Sequence, residues 1–328
     1  MIITRTPFRI SFFGGGTDFP EWYNKFRGKV ISSSINKYCY ISTRILPPFF
    51  RYNYRLRYFK DEHVSEIEKI AHPAIRETLK HLKFKNALEV VHNADLPAQS
   101  GLGASSSFTV GFLNSMMALN HKLTSKKSLG LQAIKIEQKL IKEHVGSQDQ
   151  MAAAFGGFNV INFYKNSIEV NPVTKSENVK KLEKSIFLIF TGFQRTAQNI
   201  EKKKINKISK KEKYYHELLE IADQAEEKIY TSKQIVTDFS KLLRKSWALK
   251  KKLDSSVSNK KINQIYNLGI KNGAYAGKIL GAGGGGFMLF LIDNKKRKFF
   301  NRLFKDYIIA PVSFERLGTQ VIYNRDNE

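Results

Sequence analysis

Acidic residues are in short supply in this chain. Its 328 residues hold 55 Lys and Arg against 29 Asp and Glu, a formal net charge of +26. Cysteine is almost absent. The single thiol, Cys39, excludes an intramolecular disulfide and a thiolate metal cluster, and its apolar neighbours predict an inert core residue. The seven histidines lack metal-ligand spacing, and His92 is read as structural. Long apolar runs are missing too. A membrane-spanning helix needs about 20 consecutive apolar residues. IFLIF and FMLFLI have only the length of buried strands. The opening MIITRTPFRISFF has neither an extended apolar h-region nor a small-residue cleavage site. These absences predict a soluble, cytoplasmic protein with no stable membrane association.

The excess positive charge raises nucleic acid as a partner. The lysines, however, spread from Lys25 to Lys305 among many Asn and Ile residues. Zinc-finger spacing, a stacking signature for single strands and a clear recognition helix are all lacking. A lysine-rich solvated surface is the simpler reading, and no nucleic-acid partner is expected. The charge also favours anionic small substrates.

What the chain does have is glycine in three clusters. These are Gly14-Gly15-Gly16-Thr17-Asp18, Gly101-Leu102-Gly103-Ala104-Ser105-Ser106-Ser107, and Gly281-Ala282-Gly283-Gly284-Gly285-Gly286. Each lies between an apolar stretch and another structured segment, so none reads as a linker. The middle cluster runs into a helical pattern. That places free backbone N–H groups and hydroxyls at a helix N-terminus, where an anion binds well.

Around these clusters the chain alternates strand and helix signals. Residues 2–13 read as a strand, and residues 29–46 as one or two more, ended by Pro47-Pro48. Residues 49–60 are aromatic and basic, a strand or a flap. Helical spacing covers 64–84, LEVVHN is a strand, and Phe108, Phe112, Leu113, Met116 and Leu119 form a helix stripe. Ser125 caps a helix over about 126–143, and FNVINFY is a strand. The polar stretch 166–184 reads as a domain boundary. Beyond it come the strand SIFLIF, helices over 196–270 with one break near Ser255-Ser256, the strand GFMLFLI, a helix over 295–304, and strand character over 310–322. The order predicts two α+β domains, over 1–170 and 180–328. Rossmann and Walker spacings are absent.

On residue chemistry alone, PAQSGLGASSS is either a turn with a helix cap or a phosphate loop. Its glycines permit tight turns and close approach to a phosphate, and its serines suit phosphate or magnesium. Asp149 is equally open, as a solvated loop carboxylate or a base, and so is Glu137, as an exposed helix residue or a ligand.

The three clusters together resemble the GHMP small-molecule kinases, which include galactokinase, homoserine kinase and mevalonate kinase. RTPFRISFFGGGTD (5–18) is similar to their N-terminal substrate motif, PAQSGLGASSS (97–107) to their phosphate loop, and KILGAGGGGFMLF (278–290) to their C-terminal glycine motif. The order and spacing match along nearly the whole chain. The resemblance implies a ribosomal-protein-S5-domain-2-like N-terminal domain, a ferredoxin-like C-terminal domain, and an active site between them. It implies ATP and Mg²⁺ as cofactors, and a monomer or homodimer.

It also distributes roles. Pro97, Ser100, Gly101, Leu102, Gly103, Ala104, Ser105, Ser106 and Ser107 would bind nucleotide. Asp149 would be the catalytic carboxylate, steadied by Arg9. Glu137 and Ser105 would hold magnesium, with Ser106 as the alternative serine. Gly14, Gly15, Gly16, Thr17, Asp18, Gly283 and Gly284 would face the sugar, with Trp22 either walling the pocket or packing in the core. GGGTDFP, GSQDQMAAAFGGFN and TGFQRTA point to the branch that acts on a phosphorylated heptose at its anomeric hydroxyl, feeding nucleotide-activated heptose for surface glycans. Gly14–Asp18 departs from the Gly-Glu-His-Thr-Asp of galactokinases. A phosphorylated acceptor needs its own cation, for which Arg195, Arg27 and Lys29 are candidates. A fucokinase-like enzyme and a non-enzymatic basic binding protein are the competing readings.

Overall fold

In the computed structural model, residues 1–193, 201 and 205–325 are described. Strand β1 (Ile2–Phe13) pairs antiparallel with one long strand, β2 (Gly28–Ile45). β2 organises the larger sheet. Its first half pairs with β6 (Phe158–Phe163), and its second half with β5 (Leu88–Ala94). The main strand order is β11-β1-β2-β5-β3-β4, with β3 at Tyr54–Arg57, β4 at Asp61–Val64 and β11 at Gln320–Asn324. Residues 49–60 therefore supply a strand.

The helix expected over 64–84 is shorter. Only Pro73–His81 (α2, after α1 at Pro20–Tyr23) is α-helical, because Pro73 suits the first helical turn and the Nδ1 of His72 accepts the Ile75 N–H as a cap. α3 (Ala104–Leu119) is buried on nearly every side, wedged against β1 and β2. α4 (Lys126–Lys135) starts at the expected Ser125 cap and runs into a π-helical turn, Ile136–Leu140. α5 (Gln148–Phe155) leads to β6.

The polar stretch taken for a boundary is itself structured. β7 (Ile168–Pro172) extends the large sheet beside β6, and α6 is Glu177–Ser185. A second sheet, in the order β8-β10-β9, is formed by Ile186–Phe190 (β8), Ala276–Ile279 (β9) and Phe287–Leu291 (β10). It packs with α8 (Ile235–Leu253), α9 (Lys260–Lys271) and α10 (Arg297–Leu303), while α7 (Glu212–Thr231) lies against α8 and against β1 and β2. A break at Ser232, additional to the expected one near Ser255, separates α7 from α8. There the Ser232 hydroxyl accepts the Gln234 N–H and donates to Asp238.

The last strand departs from expectation. β11 (Gln320–Asn324) returns to pair with β1 at the edge of the large sheet instead of closing the second unit. We retain the division near residues 170–180 as a proposal supported by the two sheets. The units share a core: Phe13 meets Phe239 edge-on at 4.7 Å, and buried Trp22 stacks on Tyr215 at 5.2 Å. Trp22 is thus a packing residue, its indole N–H held by the Arg27 carbonyl. Arg27 and Lys29 cross the same seam to Asp223 and Glu226 on α7, so both expected anchors are engaged with carboxylates.

Candidate active site

Between the two units lies a cavity of about 310 Å³. All three glycine clusters reach it. From β1, alternate residues Arg9 and Ser11 face it, as the period of a strand requires. Gly15, Gly16 and Asp18 form one side, Ser100, Gly101 and Gly103–Ser106 another, and Gly281 and Ala282 a third.

The phosphate-loop candidate is tightly held. Gly101 and Gly103 both sit at positive φ, 82° and 77°. A Cβ on Gly101 would stand 2.6 Å from the Leu280 carbonyl oxygen. Arg9 fastens the loop from beneath: its N–H donates to the Leu102 carbonyl at 3.0 Å, and Nη1 to the Gly101 carbonyl at 2.7 Å. Gly103 caps α3 without a side-chain acceptor for the first-turn N–H groups. Those groups and the helix dipole favour an anion at this end.

Arg9 also makes a two-pronged pair with Asp149. Nε donates to Oδ1 and Nη2 to Oδ2, each at 2.7 Å. Arg9 is buried, whereas the Asp149 side chain is 24% exposed to the cavity. Asp149 lies in the first turn of α5, where the dipole favours a carboxylate.

Asp18 is buried beside them. Its Oδ1 accepts the Gly16 N–H at 2.8 Å, and its Oδ2 accepts the Gln148 side-chain amide at 2.9 Å. Burial pushes its pKa up, with the Asp149 charge adding to the effect against opposing hydrogen bonds. Gly146 makes room: a Cβ there would lie 1.9 Å from Asp18 Oδ2.

Glu137 projects from the π-helical turn, a distortion frequent at functional sites. Its Oε2 accepts the Ser106 hydroxyl at 2.9 Å and the Gln150 amide. Burial raises its pKa to about 8, with Glu143 reinforcing the shift. Its Oε1 is buried without a hydrogen-bond partner. A lone carboxylate oxygen beside a serine hydroxyl suits a hard cation that keeps most of its waters. Ser106 is the serine that meets Glu137. Ser105, the first choice from the sequence, is exposed and lines the cavity.

Several expected contacts lie elsewhere. Pro97 is exposed outside the cavity wall, Leu102 is buried, and the Ser107 hydroxyl donates to the Pro7 carbonyl. Gly14 and Thr17 shape the turn: a Cβ on Gly14 would overlap the Lys29 carbonyl, and the Thr17 hydroxyl contacts the Gly14 and Lys29 carbonyls. Gly283 and Gly284 pack on Val257. Arg195 lies outside the described residues. His92 is half-buried against Phe108, where burial lowers its pKa, in keeping with a structural role.

Sequence reasoning missed Gln148, Lys250 and Lys278 in the wall. Lys278 donates to the Ser11 and Phe12 carbonyls at 3.0 and 2.8 Å, and Lys250 to the Gly281 carbonyl at 2.6 Å. Gln148 adjoins Asp149 and Lys278 precedes the third cluster, so proximity was their only signal. Lys250 sits in a lysine run that hides it.

Two family descriptions match. GHMP kinases N terminal domain covers residues 67–157, and GHMP kinases C terminal covers residues 233–308. The D-glycero-alpha-D-manno-heptose 7-phosphate kinase of Campylobacter jejuni is 33% identical over 317 residues, 90% of this chain and 91% of that one. A solved D-glycero-D-manno-heptose 1-phosphate kinase from Bacteroides thetaiotaomicron aligns with a TM-score of 0.79 at 22% identity, over 99% of this chain and 100% of that chain. The bifunctional fucokinase/GDP-fucose pyrophosphorylase of Arabidopsis thaliana is 23% identical over 214 residues, 62% of this chain and 20% of that protein. These matches bear out the expected two-domain α+β fold.

Proposed function

The chain belongs to the GHMP kinases and is an ATP-dependent sugar kinase, and from that premise we propose D-glycero-D-manno-heptose 7-phosphate as its acceptor. Phosphorylation of the anomeric hydroxyl would give the 1,7-bisphosphate, a precursor for activated heptose in surface glycans. The observation that carries this reading is the Arg9–Asp149 pair, set between the phosphate loop and the Asp18 side of one cavity. Likeness to the Campylobacter heptose kinase supplies the acceptor class.

In this reading the sugar lies against Gly15, Gly16 and Asp18, and the triphosphate against Gly101–Ser106. Asp149 takes the proton of the attacking hydroxyl as the new P–O bond forms and the bond from the γ-phosphorus to the bridging oxygen breaks, with ADP as the leaving group. Arg9 orients that carboxylate and offers its guanidinium charge to the transferring group. Glu137 and Ser106 would hold Mg²⁺, which supplies charge neutralisation for the ATP phosphates. Arg195 is our proposed anchor for the acceptor's phosphate.

The two heptose kinases differ in the phosphate position that their names specify, so the product's regiochemistry is part of the test. We expect kcat/KM to be far higher for heptose 7-phosphate than for free heptose or L-fucose, with phosphorus NMR placing the new phosphate on the anomeric carbon. Equal or better activity on either free sugar overturns the assignment and promotes the fucokinase-like reading.

A further inference from the structure

The first turn of α5 presents Gln148, Asp149 and Gln150 in succession. Helical residues project about 100° apart, so these three side chains reach three separate partners. Gln148 Nε2 donates to Asp18 at 2.9 Å, Asp149 pairs with Arg9, and Gln150 Nε2 donates to Glu137. One turn of helix thus touches the sugar-side carboxylate, the central pair and the metal-side carboxylate.

Both glutamines have a costly feature. Gln148 Oε1 and Gln150 Oε1 are buried with no hydrogen-bond partner, and Gln150 is fully buried. A methionine of similar volume would fill either place without an unsatisfied carbonyl. The donor N–H groups are therefore the reason to have an amide there. Reversing either amide would turn its oxygen toward a carboxylate oxygen. Rotation of Glu137 is also restricted, since Ser106 and Gln150 both hold Oε2 and the Thr109 hydroxyl adjoins the same carboxylate.

We propose that Gln148 and Gln150 are paired positioning residues, Gln150 fixing Glu137 for the cation and Gln148 fixing Asp18 for the acceptor. The proposal rests on the roles given to Glu137 and Asp18 above. It predicts that the two variants separate. Outer-shell partners of metal ligands typically contribute about 10–100-fold to metal affinity. Gln150→Met should weaken Mn²⁺ binding to the ADP-loaded protein about tenfold or more by calorimetry, and leave KM for heptose 7-phosphate near wild type. Gln148→Met should do the reverse, raising that KM by about tenfold, the loss expected for a hydrogen bond to a charged group, with Mn²⁺ affinity unchanged.

Glu137→Gln is the control for the metal reading, and wild-type turnover of heptose 7-phosphate is the control for the acceptor reading. If Glu137→Gln weakens Mn²⁺ while folded Gln150→Met does not, the positioning role of Gln150 is overturned and the metal site stands. If both variants shift both constants alike, α5 acts only as a scaffold and the proposal fails. Should Gln150→Met not fold, Gln150→Asn, which withdraws the amide by one methylene, is expected to show the same Mn²⁺ loss. If wild type does not use heptose 7-phosphate, the acceptor assignment fails, and the Mn²⁺ comparison still decides the role of Gln150.

Discussion

Arg9 and Asp149, 140 residues apart in the chain, meet through two parallel hydrogen bonds of 2.7 Å. The same guanidinium holds the Gly101 carbonyl, so one side chain ties the catalytic candidate to the phosphate loop. Asp149→Asn keeps the shape but removes the proton acceptor and half of the ion pair. Turnover should fall by roughly 10²–10⁴, while ATP and acceptor affinities stay within about tenfold. Single-turnover kinetics and calorimetry read the two effects separately. Wild-type turnover across a pH series would reassign Asp149.

Gly103 has little room for change, and what it would crowd is the Arg9–Asp149 pair itself. Its φ is +77°, and a Cβ would stand 3.3 Å from both Arg9 Cγ and Asp149 Oδ2. Gly103→Val adds β-branching in a backbone region that L-residues avoid. We expect severe loss of ATP binding in a protein with a native circular dichroism spectrum. Wild-type ATP affinity in that folded variant would remove the loop from the nucleotide site.

Much of this site was legible before the structure. Glycine clusters, a serine cap and strand-length apolar runs are local signals, and β1, β2, α3, β6 and the Ser125 cap follow from them. Which glycine faces ligand and which merely turns the chain is not local. Gly14 and Thr17 fold against Lys29, and Gly283 rests on Val257, contacts set by packing. The short β9 offers only four residues of pattern, and the placement of β11 depends on where β1 has an open edge. Charge partners are equally remote: nothing near Lys29 announces Asp223 or Glu226.

That seam yields its own prediction. Lys29 has a nearly buried side chain, with Asp223 at 2.7 Å and Glu226 also in contact. These hydrogen bonds raise its pKa against the opposing pull of burial. Asp223→Asn with Glu226→Gln would leave the ammonium buried without a counter-charge. Removing partners of a buried charge costs about 3–5 kcal/mol. The partly exposed carboxylates reduce the expected loss here to about 1–3 kcal/mol. Urea unfolding should show that loss, while KM for heptose 7-phosphate stays unchanged. A raised KM at unaltered stability would return Lys29 to the list of phosphate anchors.

His72 should set part of the acid limit of stability. Its ring packs on Phe108 at 4.6 Å and Tyr58 at 4.9 Å, and its Nδ1 accepts the Ile75 N–H at 3.4 Å. Burial, assisted by nearby His92 and Arg76 and opposed by Glu62, lowers its pKa to about 4. An unfolded histidine titrates near about 6.5, so the unfolded chain binds the proton first. Its full contribution to stability is therefore present above about pH 6.5, declines as the pH falls toward about 4, and is lost below that. Protonation would also take the acceptor away from the cap. Asparagine can accept at that position without titrating, so His72→Asn should flatten the fall in Tm between about pH 6.5 and 4, whatever its effect at pH 7. His92 would retain a smaller slope of its own, because burial lowers its pKa too. Thermal melts of both proteins across that range decide the matter. An acid limb of unchanged steepness in His72→Asn would show that His72 is not the titrating group.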